Sequence, residues 1–418
     1  SVGFKLILLR MESKLQTVSK LPNDTRYKAY ETFADEVLDS KNVEHIAVLM
    51  KHLIHVEGKD QHGRTYITPE ILVYIIKKIR ANSEEEDESK VLDFDQLLQM
   101  FEQIVPVIRE KGEDFPNALL EAVDVLSKMY EGEQDWKKAA FCMSSFKFEQ
   151  YRHLSCSADR KVEWYVNTAE TWLEAEESGM ASQSVKKAHV LMNQVQDQDL
   201  ALRFKTCYAR VLDSERKFLE AAVHYKKLSQ MGQGVISEAD MLQTLQNAVT
   251  CAILAKAGPS RARVLAMLYS DERSATLPNF LMLEKMFKDR IVREDEVKQF
   301  QSTLAEHQNA SQANGMTVLQ NSVCEHNLLA CSKLYKNIKF QELGTLLNIS
   351  AKDAEKLASD MIEQGRMQAM VDQIEEQLEF TSSSSGTLQS WDAKIQDLCL
   401  SVNHAVEAIN RKHPEYIV

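Results

Sequence analysis

Residues 322–380 read SVCEHNLLACSKLYKNIKFQELGTLLNISAKDAEKLASDMIEQGRMQAMVDQIEEQLEF, and this stretch decides the fold. Apolar residues over 321–334 recur at helical steps, and Phe340 to Leu347 predict a second helix of one or two turns. Ser350 stands where an N-cap opens a third helix, with Asp353 at the capping-box position and Gly365 closing it. Leu357, Met361 and Ile362 would share its core face. Residues 366–371 and 377–381 then read as two short strands, with Asp372 to Glu376 turning between them. Three helices followed by a hairpin is the order of a winged helix.

The charge of this stretch narrows its partner. Six cations, Lys333, Lys336, Lys339, Lys352, Lys356 and Arg366, stand against ten acids, a net of minus four. A helix-turn-helix that enters a groove neutralises phosphates with Lys and Arg, because counterion release supplies most of its non-specific affinity. The module is therefore suited to docking protein. The whole chain, with a net charge of −12, points the same way, against nucleic acid and against an anionic membrane surface.

Upstream, from about residue 93 to 304, the pattern is a series of helix pairs. Three second helices share a bulky residue followed three positions later by alanine: Trp136 with Ala139, Val185 with Ala188, and Phe218 with Ala221. The last two are 33 residues apart, close to a tetratricopeptide-like period, so these pairs are expected to stack as a solenoid. Gly258-Pro259 breaks one pair, and residues 309–315 read as a polar loop. Farther upstream, Ile71, Leu72, Ile75, Ile76 and Ile79 suit an amphipathic helix, while the run SEEEDESK from Ser83 reads as a solvated loop.

Downstream, residues 382–386 read as a Ser-rich spacer. Beyond it Leu388, Trp391, Ile395, Leu398, Val402, Ala405 and Ile409 alternate steps of three and four, the pattern of a helix seam that needs a partner. The expected division is an N-terminal helical region over 1–92, a helical-repeat arm over 93–304, a winged helix over 305–381 and an assembly helix over 387–412. A chain of 418 residues is long enough for several cores, and its seven prolines and thirteen glycines leave few breaks, which favours helices.

Little here points to chemistry. The seven cysteines are odd in number and widely spaced, without a CxxC pair, which fits reduced core residues and a cytosolic or nuclear setting. The apolar run Val2 to Leu9 is too short to span a bilayer and is read as neither signal nor anchor; residues 1–10 precede Met11 and are a candidate fragment end. His52, His55 and His62 with Glu57 lack a completing ligand set, so a metal site is disfavoured. No phosphate loop, nucleophile elbow or HExxH is present; Gly232-Gln233-Gly234 reads as a loop, and Cys207 as packing. The triplet Asp271-Glu272-Arg273 reads as a solvated face in preference to an ion-pair network. No catalytic residue, metal ligand or cofactor is assigned.

Several blocks together resemble the PCI family, whose members build the proteasome lid, the COP-nine signalosome and initiation factor three. The blocks are CYARVLD (207–213), RKFLEAA (216–222), LA.L..DER (265–273), LEKM..DRI.R (283–293), EHNLL..SKLY.NI.F.ELG.LL.I (325–349) and AEK.AS.MI..GRM (354–367), with DQI at 372–374. Their combination is similar to the signalosome branch, with the proteasome lid as the alternative. The resemblance implies a non-catalytic scaffold: a helical arm, a winged helix whose sheet edge joins neighbouring PCI subunits, and a C-terminal helix in a shared bundle with those subunits and a metalloprotease pair. It implies edge contacts through Met367, Met370, Val371 and Phe380, and bundle contacts through Leu388, Trp391, Ile395, Leu398, Val402 and Ile409. It further implies work in the cytoplasm and nucleus on removal of Nedd8 from cullin-RING ligases, which the N-terminal arm would meet. The isopeptidase signature is absent, since no two histidines here are two residues apart.

Overall fold

The computed structural model describes residues 23–39, 42–55, 67–84, 94–111, 115–151, 154, 156–231, 237–311, 315–380 and 383–412. The fold is a helical-repeat array followed by a winged helix. Its contacts form two compact units, residues 1–211 and 212–418, so the expected 93–304 arm is shared between them.

The first unit contains α1 (Asn23–Asp39), α2 (Val43–His55), α3 (Ile67–Glu84), α4 (Phe94–Glu110), α5 (Pro116–Gly132), α6 (Trp136–Ser144), α7 (Ala158–Glu174), α8 (Ser178–Leu191) and most of α9 (Gln198–Ser214). Ile71, Leu72, Ile75, Ile76 and Ile79 are all buried, as the i, i+4 spacing of α3 predicts. They join Tyr30, Ile46, Leu53, Phe101 and Ile104 in one core that continues to Val211. Ser83 and Glu84 close α3 instead of opening a loop; residues 85–90 of the acidic run lie outside the described residues, as do Glu57, His62, residues 1–10 and Gly232 to Gly234.

The helical hairpins reveal their own register. Gln134, Glu176 and Arg216 each take a left-handed conformation, with φ of 61°, 62° and 62°. Each stands two residues before a second helix, α6, α8 or α10 (Phe218–Met231). The following amide closes the same turn each time: Asp135 N–H donates to the Tyr130 carbonyl at 2.9 Å, Glu177 to Trp172 at 3.0 Å and Lys217 to Leu212 at 2.9 Å. This satisfies carbonyls that a helix end leaves orphaned. Counted from these turns, the equivalent alanines are Ala139, Ala181 and Ala221, all fully buried. The intervals are thus 42 and 40 residues, which corrects the 33-residue spacing. Ala188 is also buried, two turns farther along the same face as Ala181, and that shared face made the two interchangeable in the sequence.

The second unit continues with α10, α11 (Glu238–Leu254), α12 (Pro259–Tyr269), α13 (Phe280–Phe287) and α14 (Glu294–Gln301). Pro259 occupies the first position of α12, where its missing N–H is harmless. Asp271 is part of a network, contrary to the solvated face expected. Its carboxylate receives Arg273 Nε at 3.1 Å and pairs with buried Lys226, while Arg273 also donates to the Ser229 carbonyl at 2.9 Å. The hydrogen bonds from Arg273, with Lys226 beside it, hold the Asp271 carboxyl well below its usual range.

The winged helix comprises α15 (Val318–Leu334), β1 (Asn337–Lys339), α16 (Phe340–Leu347), α17 (Ala351–Glu363), β2 (Ala369–Asp372) and β3 (Gln377–Phe380). Ser350 Oγ accepts from Asp353 N–H at 3.2 Å, and Gly365 has φ +67°, so both predicted ends of α17 stand. The sheet has one strand more than predicted, in the antiparallel order β1-β3-β2. Last comes α18 (Ser383–Lys412), which takes in Ser383 to Gly386, so the Ser-rich stretch is helix and not spacer.

Candidate assembly interface

Three elements of the second unit bear on partner binding: the seat of the winged helix, the wing edge and α18.

The seat is α15. It is enclosed on several faces, so that Ser322, Glu325, His326 and Asn327 are buried on it beside Leu319 and Leu328. Buried polar groups must be paired, and these are. Ser322 Oγ donates to the Ile253 carbonyl at the end of α11 at 2.6 Å. Asn327 bonds both the N–H and the carbonyl of Val292, at 2.9 and 3.0 Å. Glu325 meets Arg366 through two bonds, at 2.6 and 3.2 Å, and also accepts the Ala257 N–H at 2.9 Å, while Arg366 donates to the Ala257 carbonyl at 3.1 Å. One carboxylate and one guanidinium thus fasten the chain after α11 to α15 and to the entry of the wing. His326 donates through Nε2 to the Arg290 carbonyl at 2.9 Å; burial, then the nearby Arg261 charge, lower its pKa to about 4.

Sequence reasoning counted Glu325 and Arg366 as surface charge. Removing this buried pair leaves five lysines and nine acids on the module, so the net charge that disfavours phosphate is unchanged.

At the wing, register sorts the side chains. Asn337, Glu379 and Met370 are aligned across the sheet on its exposed face, while Ile338, Leu378 and Val371 are aligned on the face toward the core. Met367 and Phe380, expected as edge contacts, are buried in the winged-helix core, and Val371 packs against it. Their apolar character serves the module's own packing. Met370 is 64 % exposed, and Ile374 in the turn, which the sequence reading passed over, is 95 % exposed. The outer edge of β2 has no strand partner among the described residues.

The apolar positions of α18 remain in solvent: Trp391, Ile395, Leu398, Val402 and Ile409 are between 53 % and 67 % exposed. The side chain of Leu388 lies outside the described residues. Cys399 and Val406 flank the same stripe and widen it beyond a two-stranded seam, toward the breadth of a helix that faces several neighbours.

Among the described residues, the buried cysteines Cys207, Cys324 and Cys331 do not resemble activated nucleophiles. Burial pushes the Cys207 thiol up to about 12, and Cys324 and Cys331 to about 11. Among the described residues no group of three ligand-type side chains could hold a metal, and no helix is long and apolar enough to cross a membrane.

Comparison with known proteins accords with this architecture. A profile described as "PCI domain" matches residues 285–382, and one described as "PSMD12/CSN4, N-terminal" matches residues 121–234. The PCI match begins in α13, upstream of the winged helix, and so includes the Val292 contact of the seat. A Dictyostelium discoideum protein named COP9 signalosome complex subunit 4 is 36 % identical over 403 residues, 96 % of this chain and 97 % of its own length. Proteins of the same name from Drosophila melanogaster and Arabidopsis thaliana are 39 % and 40 % identical, covering 70 % and 75 % of this chain and 70 % and 76 % of theirs. The proteasome-lid alternative is not favoured. With likeness at that level across nearly its whole length, the chain belongs to the COP9 signalosome subunit 4 family.

Proposed function

We propose that the chain is a non-catalytic scaffold subunit of a COP9 signalosome. It would hold together the assembly that removes Nedd8 from cullin-RING ligases, through chemistry performed on a separate metalloprotease subunit, and help to position that substrate. The observation that carries the reading is α18, whose described apolar residues from Trp391 to Ile409 are exposed. Such a stripe is stable in water only when covered. Its width suits a bundle of several helices, and the free edge of β2, with Met370 and Ile374 beside it, suits strand addition by a neighbouring PCI subunit. Cytoplasm and nucleus are the compartments where this substrate would be met.

Affinity purification of the full chain followed by mass spectrometry tests the reading. Signalosome subunits should co-elute, and deneddylating activity should be present in the eluted assembly and absent from the chain alone. Proteasome-lid subunits in their place, or activity in the isolated chain, would refute it.

A further inference from the structure

Leu334 and Tyr335 stand at the end of the largely enclosed α15, yet Leu334 is 67 % exposed and Tyr335 44 %. By themselves two apolar side chains in water make a small patch. Their place in the module joins them to a larger one.

Tyr335 is extended, with φ −114° and ψ 145°, so the alternation of β1 continues back through it and sets it on the face of exposed Asn337, opposite to buried Ile338. The Lys336 carbonyl accepts the Phe380 N–H at 2.8 Å, which carries the β1–β3 ladder one residue farther, toward the end of the sheet from which the chain runs on to α18. From Phe380 to Ser383 there are three steps, at most about 11 Å between Cα atoms. Trp391 stands eight residues into α18, about 12 Å along its axis. Leu334, Tyr335 and the first described residues of the α18 stripe are thus within the span of one helix of about five turns, roughly 27 Å.

Strand addition does not suit this side of the sheet. β1 has three residues, and Lys336 and Lys339 are exposed along it, the kind of charge that blunts an edge. The β2 edge is the opposite one, two strand spacings or about 10 Å away. Side-chain packing by a helix is what Leu334 and Tyr335 can accept.

We propose that Leu334 and Tyr335 extend the assembly face of α18, and that one apolar-sided helix of a neighbouring subunit packs across both. This takes α18 as the assembly helix proposed above and adds a second wall to its contact, on the winged module itself.

The assembly purified through the full chain supplies the test. A photoreactive p-benzoylphenylalanine replaces Tyr335 in one preparation and Trp391 in another, and light crosslinks each to what lies against it. Both positions should capture the same neighbouring subunit, within one helix of it. Different subunits at the two positions, capture at one position alone, or capture of a second copy of the chain overturns the proposal. Leu334→Ser with Tyr335→Ser should speed dissociation of the assembly about tenfold. The isolated variant should melt within about 2 °C of the unmodified chain, because both side chains are exposed. An unchanged dissociation rate, or a larger fall in melting temperature, overturns the proposal as well. If no subunit co-purifies with the unmodified chain, the assembly reading falls and this one with it, an outcome distinct from an assembly that forms without capture at Tyr335.

Discussion

Two helices of the second unit, α15 and α18, contrast in how they meet solvent. The first, 17 residues long, is enclosed and carries four buried polar residues; the second, 30 residues long, leaves its described side chains exposed and carries an apolar stripe. Composition would assign them the other way round. The polar groups of α15 are stable in the interior because each finds a directional partner, whereas the described apolar groups of α18 find no cover among the described residues. Polar residues can thus mark the internal joint, and apolar ones the external face.

The widest separation between the two should come from Trp391→Glu with Leu398→Glu. Charges placed in a dry interface are strongly unfavourable, so co-purification of partners should be lost while the isolated chain melts within about 1–2 °C of the unmodified protein. Retained assembly, or a collapse in melting temperature, would mean that α18 does not face outward.

The opposite result is expected at the joint. Arg366→Ala leaves the Glu325 carboxylate buried without its guanidinium and should cost about 3–5 kcal/mol in urea unfolding. Glu325→Leu with Arg366→Met should recover most of that loss, since replacing both partners by apolar groups is often near neutral. If the single and double variants are equally unstable, packing and not the ion pair fastens α15.

A smaller effect separates the helices by pH. His326 has a folded pKa near 4, below its ordinary value, so neutral His326 is favoured in the fold. Its contribution is complete above about pH 6.5 and is lost as pH falls toward 4, because only the unfolded chain takes up the proton in that window; the full effect is roughly 3 kcal/mol. His326→Gln should flatten that part of the stability profile, read as unfolding free energy at pH 7.5 and 4.5. An unchanged slope would remove His326 from the joint's energetics.

What the sequence revealed depended on the range of the interaction. The capping pair Ser350 and Asp353, the turn at Gly365 and the alternation of β3 are local, and each was readable. β1 was not, because a segment of three residues becomes a strand only by pairing with β3, far along the chain, where Asn337 stands opposite Glu379 and Lys339 opposite Gln377. The Glu325–Arg366 pair spans 41 positions and Lys226–Asp271 spans 45, so in each case the charges were visible and their burial was not. Met367 and Phe380 were misassigned for a related reason: a two-residue period shows that a strand has two faces without saying which is covered. The stripe of α18 was legible because its heptad spacing is a property of the helix itself.

The contact between Ser322 and the Ile253 carbonyl gives α15 a second role. Stacks of helical pairs leave an open final surface, and nature ordinarily closes it with a dedicated terminal repeat. Here the opening helix of the winged module is that lid. Cutting the chain after Thr317 would uncap the last pairs instead of liberating a trimmed arm, and the shortened product should precipitate.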